Sequence, residues 1–195
     1  MLKTLYQSVI ATLVLAFLFC GAYPLAVTGL GQVFFHGKAN GSLIQGQDGK
    51  NVGSSLIGQT FAKAEYFHSR PSAAGNGYDA SNSSGSNLGP TNQKLADGLK
   101  GNVDSFLKEN PTLKKGEVPG DAVTASASGL DPHITPENAA AQVDRVAKAR
   151  GVSIEQIKSL VHEQTEGPQW GIFGESVVNV LAINLALDEK FAVKK

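Results

Sequence analysis

VIATLVLAFLFCGAYPLAVTGL, residues Val9 to Leu30, contains no charged side chain, and no second run like it occurs in the chain. About 22 residues at about 1.5 Å each make about 33 Å of helix, enough to cross the hydrocarbon core of a bilayer. The residues after it are polar and Gly-rich and do not continue the pattern. The stretch therefore predicts one transmembrane helix over 9–30, a short N-terminus over 1–8, and a single soluble domain over 31–195. A cleaved signal peptide is the competing reading. Its apolar region is shorter, about 7–15 residues. A lipoprotein signal would need small residues before Cys20, where Phe17, Leu18 and Phe19 stand. Gly21 and Pro24 predict a bend, which membrane helices tolerate where another helix packs alongside. Lys3 and the terminal amine precede the span, and the next basic residue after it is Lys38. That bias puts the N-terminus in the cytoplasm and the domain outside the inner (plasma) membrane.

Charge and cysteine content narrow the class. Lys+Arg number 17 and Asp+Glu number 17, for a net charge of +0. This balance argues against a nucleic-acid binder, and no polybasic block is present to hold anionic lipid. Cys20 is the only cysteine, so no disulfide forms within the chain.

Along the domain, Ser42-Leu43-Ile44 and Val52 flank Gln47-Asp48-Gly49, a hairpin signal. Leu56–Phe61 and Tyr66-Phe67-His68 read as further short strands. RPSAAGNGYDASNSSGSNLGP, Arg70 to Pro90, has the composition of a flexible linker, although Tyr78 and Leu88 are large for a spacer. Leu95, Leu99, Val103, Phe106 and Leu107 predict a helix over 91–109, stopped by Asn110-Pro111. Thr135-Pro136-Glu137 opens another, with Ala139, Ala140, Val143, Val146 and Ala147 on one face and Gly151 at its end. Ser153-Ile154-Glu155-Gln156 is a capping box, and Val152 with Ile157 forms a hydrophobic staple. Two antiparallel helices follow. Leu181, Ile183, Leu185 and Leu187 alternate with small or polar residues, which predicts a strand and leaves a helix open. The expected fold class is α+β, with a small, mostly antiparallel sheet and a helical hairpin.

No catalytic motif stands out. There is no G-x-S-x-G, no P-loop, and no ligand spacing among His36, His68, His133 and His162. Ser126, Ser128, Asp131 and His133 keep a serine hydrolase open as an alternative. An anchored periplasmic binding or chaperone domain is a second alternative.

Several segments resemble, in order, the C subunit of the bacterial potassium-transporting P-type ATPase, the Kdp-type pump. They are NGSLI (40–44), SLIGQTF (55–61), YFHSRPSA (66–73), SNLGPTN (86–92), VTASASGLDPHITP (123–136), RVAKARG (145–151) and VNVLAINLALD (178–188), with the Tyr23-Pro24 pair in the span. The resemblance implies a non-catalytic subunit with no cofactor of its own. ATP and potassium act on the complex it joins, made of a channel-like potassium-binding subunit and a P-type ATPase subunit. It also implies a role in stabilising that assembly and, as a catalytic chaperone, in raising the ATP affinity of the ATPase subunit. Candidate docking positions are Gly21, Ala22 and Gly29 in the span and Arg70, Tyr78, Asn87 and Asp131 in the domain. Arg70 offers a guanidinium fork for a carboxylate, either inside the domain or on the channel subunit.

Overall fold

The computed structural model describes residues 1–46 and 48–192; Gln47 of the expected hairpin turn lies outside the described residues. The chain divides into two units, Met1–Leu43 and Ile44–Lys195.

The first unit is dominated by one long apolar helix, α1, Leu2–Phe34. It extends past the charge-free run at both ends because Leu2, Leu5, Tyr6, Val33 and Phe34 carry the apolar character outward. None of its residues is buried within the chain. Its middle, Phe17–Ala22, widens into a π-helix, in which the Tyr23 N–H reaches back five residues to the Leu18 carbonyl. Pro24 follows directly. Its ring has no N–H and crowds the carbonyl four residues earlier, and the wider turn relieves that conflict. A single helical turn, His36–Ala39, closes the unit.

Among the described residues, two hydrophobic clusters lie in the second unit. Strands β1, Leu43–Gln45, and β2, Asn51–Ser54, form a two-stranded sheet around the Asp48-Gly49 turn. Asp48 Oδ1 accepts the Lys50 N–H at 3.1 Å, the local bond that turns of this composition favour. Helix α2, Gln93–Glu109, is capped by the Asn92 side chain. Phe106 anchors it to a small cluster with Ala122 and Val123, bordered by Leu99, Val103 and Leu113.

The helical hairpin is built as its caps dictate. Thr135 caps α3, Pro136–Arg150, and Gly151 ends it in a left-handed conformation at φ 67°. The Ser153–Gln156 capping box starts α4, Ile154–Glu163. Ala139, Val143, Val146 and Ala147 meet Ile157, Leu160 and Val161 in the main core. Ala140, expected on that stripe, is exposed; Asn138, Gln142 and Arg150 take up the remaining buried positions.

A three-stranded antiparallel sheet, in the order β3-β5-β4, joins His133–Ile134, Val177–Asn179 and Thr165–Glu166. The strand expected over 181–187 is instead helix α5, Val180–Lys190. Asn179 ends β5 and caps this helix through a 3.1 Å bond from the Ala182 N–H. Val180, Leu181, Ile183, Asn184 and Leu187 are all buried. A helix covered on several sides loses its 3.6-residue stripe, so its leucines can fall at alternate positions without making a strand.

Candidate functional site

The strands expected at 56–61 and 66–68 are also absent, because side chains rather than a neighbouring strand satisfy the second segment's backbone. Asn184 clamps Phe67 at both ends: the Phe67 N–H donates to Oδ1 at 2.8 Å, and Nδ2 donates to the Phe67 carbonyl at 2.9 Å. Gln142 treats His68 the same way, at 2.7 and 3.1 Å. Two arginines of α3 collect the preceding carbonyls. Arg145 donates to Ala64 and Tyr66 at 2.7 and 2.8 Å, and Arg150 to Glu65 at 2.7 Å. Arg150 also pairs with Asp188 at 2.9 Å with its side chain fully buried, and its guanidinium lies 5.0 Å from the Tyr66 ring centroid. The Tyr66 hydroxyl donates to the same Asp188 carboxylate at 2.9 Å. Burial, then the Asp188 bond and charge, raise the Tyr66 pKa; burial lowers that of Arg145, against the opposing charge of Glu109.

This clamped segment delivers Arg70. Its Nη1 donates to Asp131 Oδ2 at 2.9 Å, so the carboxylate that the guanidinium needs lies within the domain. Arg70 Nε is buried and meets no hydrogen-bond partner among the described residues. Asp131 is held further by the His133 backbone N–H at 3.0 Å. Burial is the largest single influence on the Asp131 carboxyl and opposes its ionisation. The His133 bonds and the charges of Arg70 and His133 together outweigh it and hold the pKa below the usual carboxylate value.

Tyr78 braces the other side of Arg70. Its hydroxyl donates to the Arg70 carbonyl at 2.8 Å, and its N–H donates to Ser72 Oγ at 2.8 Å. Burial, opposed by a Ser69 hydrogen bond, raises its pKa and keeps the phenol neutral. Tyr78 sits at φ 55°. Gly58 lets the ring approach: a Cβ there would stand 2.5 Å from Tyr78 Cε1 and 2.6 Å from the Asp131 carbonyl oxygen. The stretch with linker composition is thus stitched to the 123–130 segment, with the Ser84 N–H on the Ser128 carbonyl at 3.0 Å and Ser72 Oγ on the Gly129 carbonyl at 2.6 Å.

Arg70, Tyr78 and Asp131 therefore form one cluster. Beside it lies an open depression of about 580 Å³, bordered by Leu56, Ile57 and Ala125–Ser128. Asn87 is exposed with a left-handed backbone, φ 52°, and shares no hydrogen bond with the cluster. Gly21, Ala22 and Gly29 lie on α1, where a Cβ on Gly29 would meet nothing within 4 Å. Ala22 and Gly29, seven residues apart, share a helix face.

Ser126 and Ser128, the candidates of the hydrolase alternative, each accept a local backbone N–H. Ser126 Oγ accepts the Gly129 N–H at 2.9 Å and Ser128 Oγ the Leu130 N–H at 3.1 Å, while His133 Nε2 faces Asn179 Nδ2 at 3.4 Å. Among the described residues, no three His, Cys, Asp or Glu side chains converge in a metal-binding arrangement. Arg145, Arg150, Gln142 and Asn184 were not singled out from sequence. The available signal was that long polar side chains fall on positions of otherwise apolar, well-capped helices.

One helix long and apolar enough to cross a membrane, followed by a small mixed helix-and-sheet domain whose buried polar side chains hold its loops, is the architecture of a single-pass membrane subunit. Residues 5–189 match the family model for KdpC, the K+-transporting ATPase c chain. The chain is 57% identical over 189 residues to the potassium-transporting ATPase KdpC subunit of Nitratidesulfovibrio vulgaris, covering 96% of this chain and 95% of the relative. The KdpC subunits of Koribacter versatilis, at 55% over 188 residues, and Rhodospirillum rubrum, at 53% over 191 residues, cover 96% and 98% of this chain and 95% and 98% of their own lengths. The chain belongs to the KdpC family, the accessory and non-catalytic c chain of the potassium-transporting ATPase.

Proposed function

We propose that this chain stabilises the assembly of a channel-like potassium-binding subunit with a P-type ATPase subunit, and that it raises the ATP affinity of the latter. The match of residues 5–189 to the c-chain family supports this reading most directly. The span sits in the inner membrane with Met1 to Ser8 in the cytoplasm and the domain outside, in keeping with Lys3 on the short side. An external domain does not touch cytoplasmic ATP. Its effect on nucleotide affinity is then a coupling free energy between two states of the complex, carried through the membrane.

In this reading Gly21, Ala22 and Gly29 let α1 approach a neighbouring helix closely. Arg70, Tyr78 and Asp131 rigidify the face that meets the channel subunit, and exposed Asn87 contacts it. The test is removal of residues 1–30. The expected product is a soluble domain that no longer co-purifies with the two larger chains. Stoichiometric assembly by that truncation would show that the span does no docking.

A further inference from the structure

The connection from β4 to β5 leaves the sheet where Glu166 pairs with Val177 and carries the chain's one tryptophan. Its tip is tightly built. The Gln169 N–H and Phe173 carbonyl bond at 2.8 Å, the Phe173 N–H and Gln169 carbonyl at 3.0 Å, and the Gly171 N–H returns to the Pro168 carbonyl at 2.8 Å. Trp170 is held at φ 55°, a conformation that a bulky residue rarely adopts. Its ring meets Phe173 edge to face, with centroids 6.1 Å apart at 73°. Yet Trp170 is 85% exposed, Ile172 78% and Phe173 59%. A fixed backbone therefore presents three large apolar side chains to solvent, which is preorganisation for a contact rather than core packing.

The charges around the tip select the occupant. Glu166 and Glu175, both exposed, stand on its two arms, in no ion pair among the described residues. No lysine or arginine occurs between Lys158 and Lys190. An anionic headgroup layer would be repelled by this rim, and membrane-surface elements carry the opposite charge. A second copy docking tip to tip across a two-fold axis would set acid against acid. A protein pocket that is apolar at its floor and bears Lys or Arg at its rim satisfies both features.

We propose that the 168–174 tip is a plug that inserts Trp170 and Phe173 into an apolar, basic-rimmed pocket on another protein subunit of the potassium-transporting complex. The proposal rests on the reading of this chain as a subunit that docks onto larger partners.

The test places a photoreactive benzoylphenylalanine at position 170 of the full chain, in the assembled and purified complex. Irradiation should cross-link this chain to one of the larger subunits. The double variant Trp170→Ser/Phe173→Ser should dissociate about 30-fold faster, the loss expected when buried interface aromatics are truncated, with its far-UV spectrum unchanged. The variant Glu166→Lys/Glu175→Lys should also dissociate faster. A cross-link only to lipid or to a second copy, no cross-link, or wild-type dissociation by the serine variant, each in a complex that still co-purifies, overturns the plug alone. A full chain that never co-purifies with larger subunits overturns both the plug and the proposed function.

Discussion

Replacing Asn184 with leucine should destabilise the domain heavily, although the substitution adds apolar surface at a buried site. Asn184 is 2% exposed and Phe67 0% exposed, so neither is reached by water. The amide makes two bonds to the Phe67 backbone, at 2.8 and 2.9 Å. Leucine leaves a buried N–H and a buried carbonyl without partners, at about 1–3 kcal/mol each. Part of this is offset by the transfer of a larger apolar side chain from water. A net loss of about 3 kcal/mol remains, equivalent to a fall in Tm of about 6–12 °C for a domain of this size. Thermal melts of the full chain in detergent, followed by circular dichroism, read the total. Amide exchange over residues 64–70 reads its location, because the Arg70 segment should lose protection first. A variant that melts within about 2 °C of the parent, with unchanged exchange there, would refute the clamp as the reason this segment needs no partner strand.

Gly58→Ala should cost about 1–3 kcal/mol in urea unfolding, since its Cβ overlaps the Tyr78 ring and the Asp131 carbonyl and both are tied into the cluster. Asp131→Asn should be less stable than the parent at neutral pH because Arg70 loses its charged partner. The folded-state pKa of Asp131 is depressed, so its contribution is present above the unfolded value of about 3.9 and lost as pH falls through the folded one. The gap between parent and variant, followed by unfolding at a series of pH values, should therefore close below about pH 4; a gap independent of pH would exclude the ion pair.

What was legible in the sequence was local. Thr135, Gly151 and the Ser153–Gln156 box determine helix ends through bonds spanning a few residues, and those ends stand where the caps place them. The charge-free run announces its helix through composition alone. What escaped depends on partners far away in the chain. The Phe67 backbone is satisfied by Asn184, 117 residues later, where a partner strand was expected. The 70–90 stretch has the composition of a linker, yet it is held by carbonyls of the 123–130 segment, whose nearness no local pattern encodes. The alternation of Leu181, Ile183, Leu185 and Leu187 misled because period two diagnoses a strand only when one face is solvated. Arg70 signalled a need for a carboxylate, but only the fold chose Asp131. Gly167-Pro168 marks a break without saying what the break displays, so no local pattern points to Trp170.

The proposed coupling is tested most directly by potassium-stimulated ATP hydrolysis of the purified complex, followed over a range of ATP concentrations with and without this chain, under conditions that keep the two larger subunits together. Removing the chain should raise the apparent KM for ATP. An unchanged KM in an intact pair would contradict any influence of this chain on nucleotide affinity and leave it a purely structural clamp.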